Sequence, residues 1–166
     1  LQCPGLLYPA LAALRGRAFR SMTSNGLPLD AAALAALVEA GVDKVHVSIH
    51  NPRDPDEVAR VIDQVTAIAA AGIASGVNLL VRRSNLAAAR AACARLHAAG
   101  IDARRIVLLP MRGSDIPSPA EVAEVAAGPF QSTTCLVACG ESPRFASVSA
   151  RQTVARCSYT VARRRL

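Results

Sequence analysis

Three polar residues alternate with apolar ones along residues 44–52. His46, Ser48 and His50 occupy every second position, with valine or isoleucine between them. Successive side chains of a β-strand point to opposite faces, so this pattern predicts a strand with an apolar face under helices and a polar face. Buried polar groups without partners are unfavourable. These three polar residues therefore line a ligand site or a wet cavity, or else they are structural residues whose hydrogen bonds are made within the protein.

Side chains able to bind a ligand also follow the other predicted parallel strands, at the edge where the carboxyl ends meet. The candidate cofactor site consists of Thr23, Asn25, Ser48, His50, Asn78, Arg82, Leu109 and Met111. Ser48 and Asn78 can bind sugar hydroxyls, Arg82 can hold a carboxylate through two hydrogen bonds, and Met111 can lie on a ring. The set predicts a ligand that contains a ribose, a carboxylate and a flat base.

The cysteines form a second group of candidate ligands. Cys135 and Cys139 are spaced for chelation, and Cys157 follows in a strand-like segment, so the three thiols predict an iron–sulfur cluster or zinc with a fourth ligand from elsewhere. Buried packing cysteines are the alternative, and we assign Cys93 to the core. Five cysteines without a signal-peptide pattern indicate a reducing cytoplasm.

Composition and missing motifs exclude several classes of protein. The sequence has no Gly-x-Ser-x-Gly elbow, no glycine-rich phosphate loop and no paired carboxylates at the predicted strand ends, which argues against a hydrolase. No apolar run is long enough to span a membrane. The net charge of +7 includes an arginine cluster at 163–165, but aromatics make up only 3% of the residues. We therefore expect a solvated tail rather than a nucleic-acid partner.

The elements that position these groups recur along the chain. Alanine-glycine pairs followed by a β-branched residue stand at 40–42, 71–73 and 99–101, each between a predicted helix and a predicted strand. Helices are predicted at 9–16, 31–40, 56–71, 85–99 and 118–126, strands at 17–24, 44–50, 76–81 and 105–110, and a β-hairpin from strands at 145–149 and 153–159. The predicted N-terminal caps are Asp30, Asn85 and Ser118, Gly41 is predicted to follow the end of the second helix, and one side of the third helix is predicted to carry Val58, Ile62, Val65 and Ile68. Repeated βα units build a parallel sheet, either a partial barrel or an open doubly wound sheet, and the polar face favours the barrel.

Four segments in sequence order resemble the later strands of radical S-adenosylmethionine (SAM) enzymes. They are Thr23-Ser24-Asn25-Gly26, Val47-Ser48-Ile49-His50, Val77-Asn78-Leu79-Leu80-Val81 and Leu108-Leu109-Pro110-Met111. The resemblance implies an α/β fold in which residues 1–115 form a partial (βα) barrel without its N-terminal part. Residues 116–166 would form a cysteine-containing extension with a β-hairpin, similar to auxiliary-cluster extensions in this family.

In that family a [4Fe–4S] cluster cleaves SAM reductively to a 5′-deoxyadenosyl radical, which abstracts hydrogen from a substrate. By the resemblance, Ser48 and Asn78 contact the ribose, Arg82 meets the methionine carboxylate, and residues 109–111 flank the adenine. The expected partners are a small-molecule or peptide substrate and an electron donor such as flavodoxin or ferredoxin. The cluster motif C-x3-C-x2-C is absent, with only Cys3 in that region, so we expect no radical formation by this chain alone.

Two other interpretations stay open at this point. The first is a βα-barrel lyase or isomerase that uses His46 or His50 as its general base. The second is a noncatalytic metal- or nucleic-acid-binding module built on the three later cysteines and the terminal arginines.

Overall fold

In a computed structural model of the chain, the described residues are 1, 3–130, 147–148, 153–155 and 164–165. The chain divides into two compact units, Leu1–Ser132 and Thr133–Leu166. The elements of the first unit are α1 (Pro4–Ala13), β1 (Ser21–Ser24), α2 (Ala31–Ala40), β2 (Lys44–Ile49), α3 (Pro55–Ala70), β3 (Ala74–Val81), α4 (Leu86–Ala98), β4 (Ile106–Pro110) and α5 (Pro119–Ala126). Short 3₁₀ turns at Arg83–Asn85 and Ala103–Arg105 precede α4 and β4.

The first unit is a mixed α/β structure around a parallel sheet. Its four strands lie in the order β1-β2-β3-β4, and each neighbouring pair is parallel. A helix connects each strand to the next, as parallel pairing requires. The predicted α/β class with consecutive parallel strands is therefore confirmed, and closure toward a barrel stays a prediction.

Helix α3 covers the apolar face of the central strands. Its start is set by Asp54, whose carboxylate accepts hydrogen bonds from the amides of Asp56 and Glu57, and by Pro55 at the first helical position. Its buried residues are Val58, Val61, Val65 and Ile68. We predicted Ile62 in this row, but a 3.6-residue period brings Val61 to the buried face and leaves Ile62 half-buried.

The chain before β1 differs from our prediction. Helix α1 begins at Pro4 instead of Pro9, and β1 begins at Ser21 instead of Arg17. Residues 14–17 continue as turns beyond α1, with the amide of Arg17 donating to the carbonyl of Leu14. A proline suits the first helical position, and Pro4 rather than Pro9 occupies it.

Arg20 holds the start of the sheet against two helix ends. Its side chain is 8% exposed, and its Nε lies 3.0 Å from Oδ2 of Asp43. Its Nη1 donates to the carbonyl of Ala40 at 2.9 Å, and to that of Leu11 at 3.4 Å. The hydrogen bonds from Arg20 hold the pKa of the Asp43 carboxyl below its usual value. The guanidinium thus joins α1, α2 and the turn into β2.

Asn85 does not cap α4 with its side chain, contrary to our prediction. Its Oδ1 accepts a hydrogen bond from the backbone amide of Arg82 at 2.7 Å, and its Nδ2 donates to the carbonyl of Leu80 at 3.4 Å. These bonds point back to β3, so Asn85 stabilises the end of that strand and the 3₁₀ turn that follows.

The second unit contains short antiparallel strands. Strand β5 (Ser147–Val148) pairs antiparallel with β6 (Thr153–Ala155), and both lie within the two segments for which we predicted a β-hairpin. A further strand, β7 (Arg164–Arg165), pairs with β6. We expected these arginines in a solvated tail and missed the strand. Across the portion of the chain that the structure describes, no helix is long and apolar enough to cross a membrane.

Candidate functional site

The face of the sheet opposite to α3 carries a polar patch across three strands. Strand register aligns Thr23 of β1 with His46 of β2 and Gly76 of β3, and it aligns Ser48 with Asn78. Register neighbours in a parallel sheet point to the same face, so these side chains lie together. His46 is 7%, Ser48 6% and Asn78 9% exposed. The predicted polar face is therefore largely buried.

Hydrogen bonds connect this patch from strand to strand. Nδ1 of His46 donates to Oδ1 of Asn78 at 2.9 Å, and Nδ2 of Asn78 donates to Oγ1 of Thr23 at 3.5 Å. Burial lowers the pKa of His46, while its bond to Asn78 raises the pKa to a smaller extent. The imidazole is therefore kept neutral near pH 7. We name this connected set, Thr23, Asn78 and His46, the polar row.

Gly76 provides the space for the imidazole. A Cβ atom at this position would lie 2.6 Å from Nε2 of His46 and 2.5 Å from the carbonyl oxygen of Arg105. Nε2 itself is buried and has no hydrogen-bond partner among the described residues. Sequence reasoning missed this arrangement, and an isolated glycine inside a strand pattern was the signal that could have indicated it.

A cavity of about 760 Å³ lies between helix α1 and the ends of β1 and β2. Its polar lining includes Thr23, Asn25, Ser48 and His50, and its apolar lining includes Leu6 and Leu7 of α1. Half of the predicted cofactor site is therefore brought together at one cavity of a size typical of small-molecule sites.

Helix α3 anchors the loop that carries Asn25. Nη1 of Arg60 donates to the carbonyl of Asn25 at 3.1 Å, and Nε2 of Gln64 donates to the carbonyl of Gly26 at 2.7 Å. Gly26 has a φ of +77°, a conformation that favours glycine. Oδ1 of Asn25 accepts from the amide of Leu27 at 3.1 Å. The side-chain oxygen of Asn25 thus stabilises the loop through this hydrogen bond.

His50 lies just after β2, and Glu57 of α3 holds its backbone. Oε1 of Glu57 accepts from the amide of His50 at 2.8 Å, and Oε2 accepts from the amide of Asn51 at 2.9 Å. Nδ1 of the imidazole is 3.9 Å from Oε1, and the His50 side chain is 61% exposed. A carboxylate beside an exposed imidazole at a cavity is compatible with a general base, and that interpretation stays a prediction.

Arg82 follows β3 and is half-buried. Its Nε is buried and unpartnered within the described ranges, whereas Nε of the adjacent Arg83 lies 3.6 Å from Oε2 of Glu121. Asp115 fixes the nearby loop, because its carboxylate accepts from the amide and the hydroxyl of Ser84 at 2.9 and 2.5 Å. These hydrogen bonds lower the pKa of Asp115.

The remaining predicted residues belong to β4 and its extension. Leu109 is opposite Leu80 in the register of the sheet. The amide of Met111 donates to the carbonyl of Val81 at 2.8 Å, which continues the pairing beyond the end of β4. Arg82, Leu109 and Met111 share the edge or face of the sheet with the polar row. These three residues and Asn78 lie outside the described lining of the α1 cavity.

The predicted metal ligands Cys135, Cys139 and Cys157 lie outside the described residues. Cys3 is exposed at the start of α1, and Cys93 is buried on α4 as predicted. Burial raises the pKa of the Cys93 thiol, which lies 3.6 Å from Nε2 of His97. Within the described ranges, no cluster of three or more histidine, cysteine, aspartate or glutamate side chains could hold a metal ion.

Comparison with known proteins provides no further assignment, because no family model and no curated protein matches the chain.

Proposed function

We propose that the chain binds S-adenosylmethionine at the polar face of its parallel sheet, as part of a radical SAM enzyme core. The observation that carries this proposal is the polar row, which brings a hydroxyl, an amide and a neutral imidazole together beside a cavity at the strand ends. Ligands of open parallel sheets bind at the carboxyl ends of the strands, and this is where the cavity lies.

The proposal assigns particular side chains to each chemical group of SAM. Thr23 and Ser48 line the cavity and supply hydroxyl groups suited to ribose oxygens, and Asn78 acts on the ribose through its hydrogen bond to Thr23. The neutral state of His46 suits a ligand with a positive sulfonium, because a protonated imidazole would repel it. The apolar side chains of Leu109 and Met111 suit the adenine ring.

Arg82 is the residue suited to the methionine carboxylate. A buried guanidinium nitrogen without a partner is unfavourable, and Nε of Arg82 is such a group in the described part of the chain. A carboxylate would supply charge-assisted hydrogen bonds to it. The neighbouring Arg83 already lies near a carboxylate, that of Glu121. The carboxylate of Asp115 acts electrostatically on both arginines, so what distinguishes Arg82 in the described part of the chain is its buried Nε without a hydrogen-bond partner.

The described residues do not fit the iron–sulfur cluster of the proposed enzyme class. Cys3 and Cys93 occur singly in the described ranges, and no ligand set surrounds either of them. In an enzyme of that class, SAM beside a reduced cluster would supply the hydrogen-abstraction chemistry. In our proposal the described residues bind and orient SAM, with Arg82 holding its carboxylate. The substrate and an electron donor such as flavodoxin or ferredoxin belong to the same proposal.

We expect the Arg82→Met variant to bind SAM at least about tenfold more weakly than the wild-type chain, because a charge-assisted hydrogen bond contributes about 1.5 to 3 kcal/mol. Isothermal titration calorimetry of the full chain measures this affinity directly. The matched control is Arg83→Met, which removes an adjacent and equally charged side chain. We expect its affinity to stay within a factor of about two of wild type, since the exposed pair with Glu121 is weak.

Two results would count against the proposal. One is the absence of SAM binding by the wild-type chain at millimolar ligand. The other is an equal loss of affinity in both arginine variants, which would show that general positive charge and not the buried position of Arg82 attracts the ligand.

A further inference from the structure

We propose that His46 fixes the hydrogen-bond polarity of Thr23, so that the cavity selects a ligand presenting an acceptor atom to the Thr23 hydroxyl. The class of ligand is one with a hydroxyl, carbonyl or ring-ether oxygen, or a ring nitrogen, at this position. His46 acts as a positioning residue, since it reaches the ligand only through Asn78 and Thr23. The identification of that ligand as SAM rests on the proposed function.

The surroundings of His46 favour one tautomer of its neutral imidazole. Nδ1 is 2.9 Å from Oδ1 of Asn78, so the hydrogen of a neutral imidazole belongs on Nδ1. The other tautomer would place an N–H on Nε2, which is buried against Gly76 and has no partner in the described part of the chain. A buried N–H without an acceptor is rarer in proteins than an unused lone pair. The pocket of Gly76 therefore favours the Nδ1–H form.

The tautomer of His46 in turn fixes the orientation of the Asn78 amide. Oδ1 accepts from His46, so Nδ2 points toward Thr23 and donates to its Oγ1 at 3.5 Å. With the amide flipped, Nδ2 and the Nδ1–H of His46 would face each other as two donors. The imidazole thus selects one of the two amide orientations.

The orientation of the Asn78 amide leaves the hydroxyl of Thr23 as a hydrogen-bond donor to the cavity. One of its lone pairs faces the Asn78 amide, so its hydrogen must be donated to another group. Thr23 is exposed and lines the α1 cavity, so water accepts this hydrogen in the free chain, and a ligand that displaces the water has to accept it instead. A group that only donates, such as an ammonium, would leave this hydrogen unpaired. The ribose of SAM offers hydroxyl and ring oxygens, which are acceptors of the required kind.

The first test uses the wild-type chain without ligand. Nitrogen-15 NMR of the imidazoles at pH 7 distinguishes the two tautomers, and we expect His46 to be protonated on Nδ1 and bare on Nε2. A purely structural role of His46 in packing would not require this tautomer. Protonation on Nε2 would overturn the inference, whether or not the chain binds SAM.

The second test turns the hydrogen-bond donor that faces Thr23 into an acceptor, with little change in the shape of the side chain at position 78. Asn78→Asp places a carboxylate that accepts from both His46 and Thr23, so the Thr23 hydrogen is no longer available to the ligand. We expect SAM affinity, measured by calorimetry, to fall about tenfold. In a Thr23→Val background the same substitution should change the affinity by less than about twofold, because the hydroxyl is already absent. Thr23→Ser should keep wild-type affinity.

An equal loss of SAM affinity from Asn78→Asp in both backgrounds would overturn the inference, since the substitution would then act on the ligand without the Thr23 hydroxyl. If the aspartate variant fails to fold, the comparison of Thr23→Val with Thr23→Ser decides the role of the hydroxyl, and equal affinities of these two variants would contradict it. Absence of SAM binding by wild type would refute the proposed function alone, because the tautomer measurement still decides the role of His46.

Discussion

Gly76→Ala is expected to lower the free energy of unfolding by about 1 to 3 kcal/mol, the range typical of overpacking in a close-packed interior. The added Cβ would lie 2.5 Å from the carbonyl oxygen of Arg105 and 2.6 Å from Nε2 of His46. The carbonyl belongs to the backbone that leads into β4, so it cannot rotate away as a flexible side chain would. Relief by a shift of the imidazole would break the hydrogen bond to Asn78. Urea denaturation followed by circular dichroism measures the loss.

The matched control for this substitution is Gly5→Ala. Gly5 lies in α1, and a Cβ atom there meets nothing within 4 Å. Alanine is favoured over glycine in helices, so we expect stability equal to wild type or slightly higher. Wild-type stability of the Gly76 variant would mean that β2, β3 and the segment before β4 do not approach as closely as described.

Arg20→Leu is expected to destabilise the first unit by about 2 to 4 kcal/mol, because removal of one member of a buried polar set leaves the other members without partners. Leucine keeps much of the apolar volume but donates no hydrogen bonds. The carbonyls of Leu11 and Ala40 and the carboxylate of Asp43 would all lose contacts with the guanidinium. The loss is measured by the urea midpoint at unchanged slope.

Arg17→Leu is the control for the removal of a positive charge from the same segment. Arg17 is exposed, and surface substitutions usually change stability by less than about 0.5 kcal/mol. Equal destabilisation of the two variants would show that Arg20 contributes through general electrostatics rather than through its contacts with the two helix ends.

Local patterns predicted the elements from α2 to α5 well. The alternation around His46 identified β2 and its two faces, and Asp30 and Gly41 marked both ends of α2, where Asp30 accepts a bond from the amide of Ala33 and Gly41 has a φ of +72°. Ser118 marked the start of α5 in the same way. These signals were reliable because a capping side chain or a positive φ acts within a few residues.

Contacts between distant residues were beyond the reach of these patterns. His46 and Asn78 are 32 positions apart, and only the register of β2 with β3 brings them together. The role of Gly76 depends in the same way on the approach of two other segments. Tertiary contacts, not local preferences, decide the roles of these two positions. Asn85 was wrong for a local reason, because its side chain bonds backward to Arg82 and Leu80, three and five positions earlier, rather than forward to α4.

The most direct test of the account is a titration of the nitrogen-15-labelled wild-type chain with SAM, followed residue by residue through its amide resonances. We predict that the largest shifts fall on Thr23, Ser48, Asn78 and Arg82, which belong to three neighbouring strands and the end of β3. Resonances that do not move at millimolar SAM, or that move only among the terminal arginines, would contradict a nucleoside site on this face of the sheet.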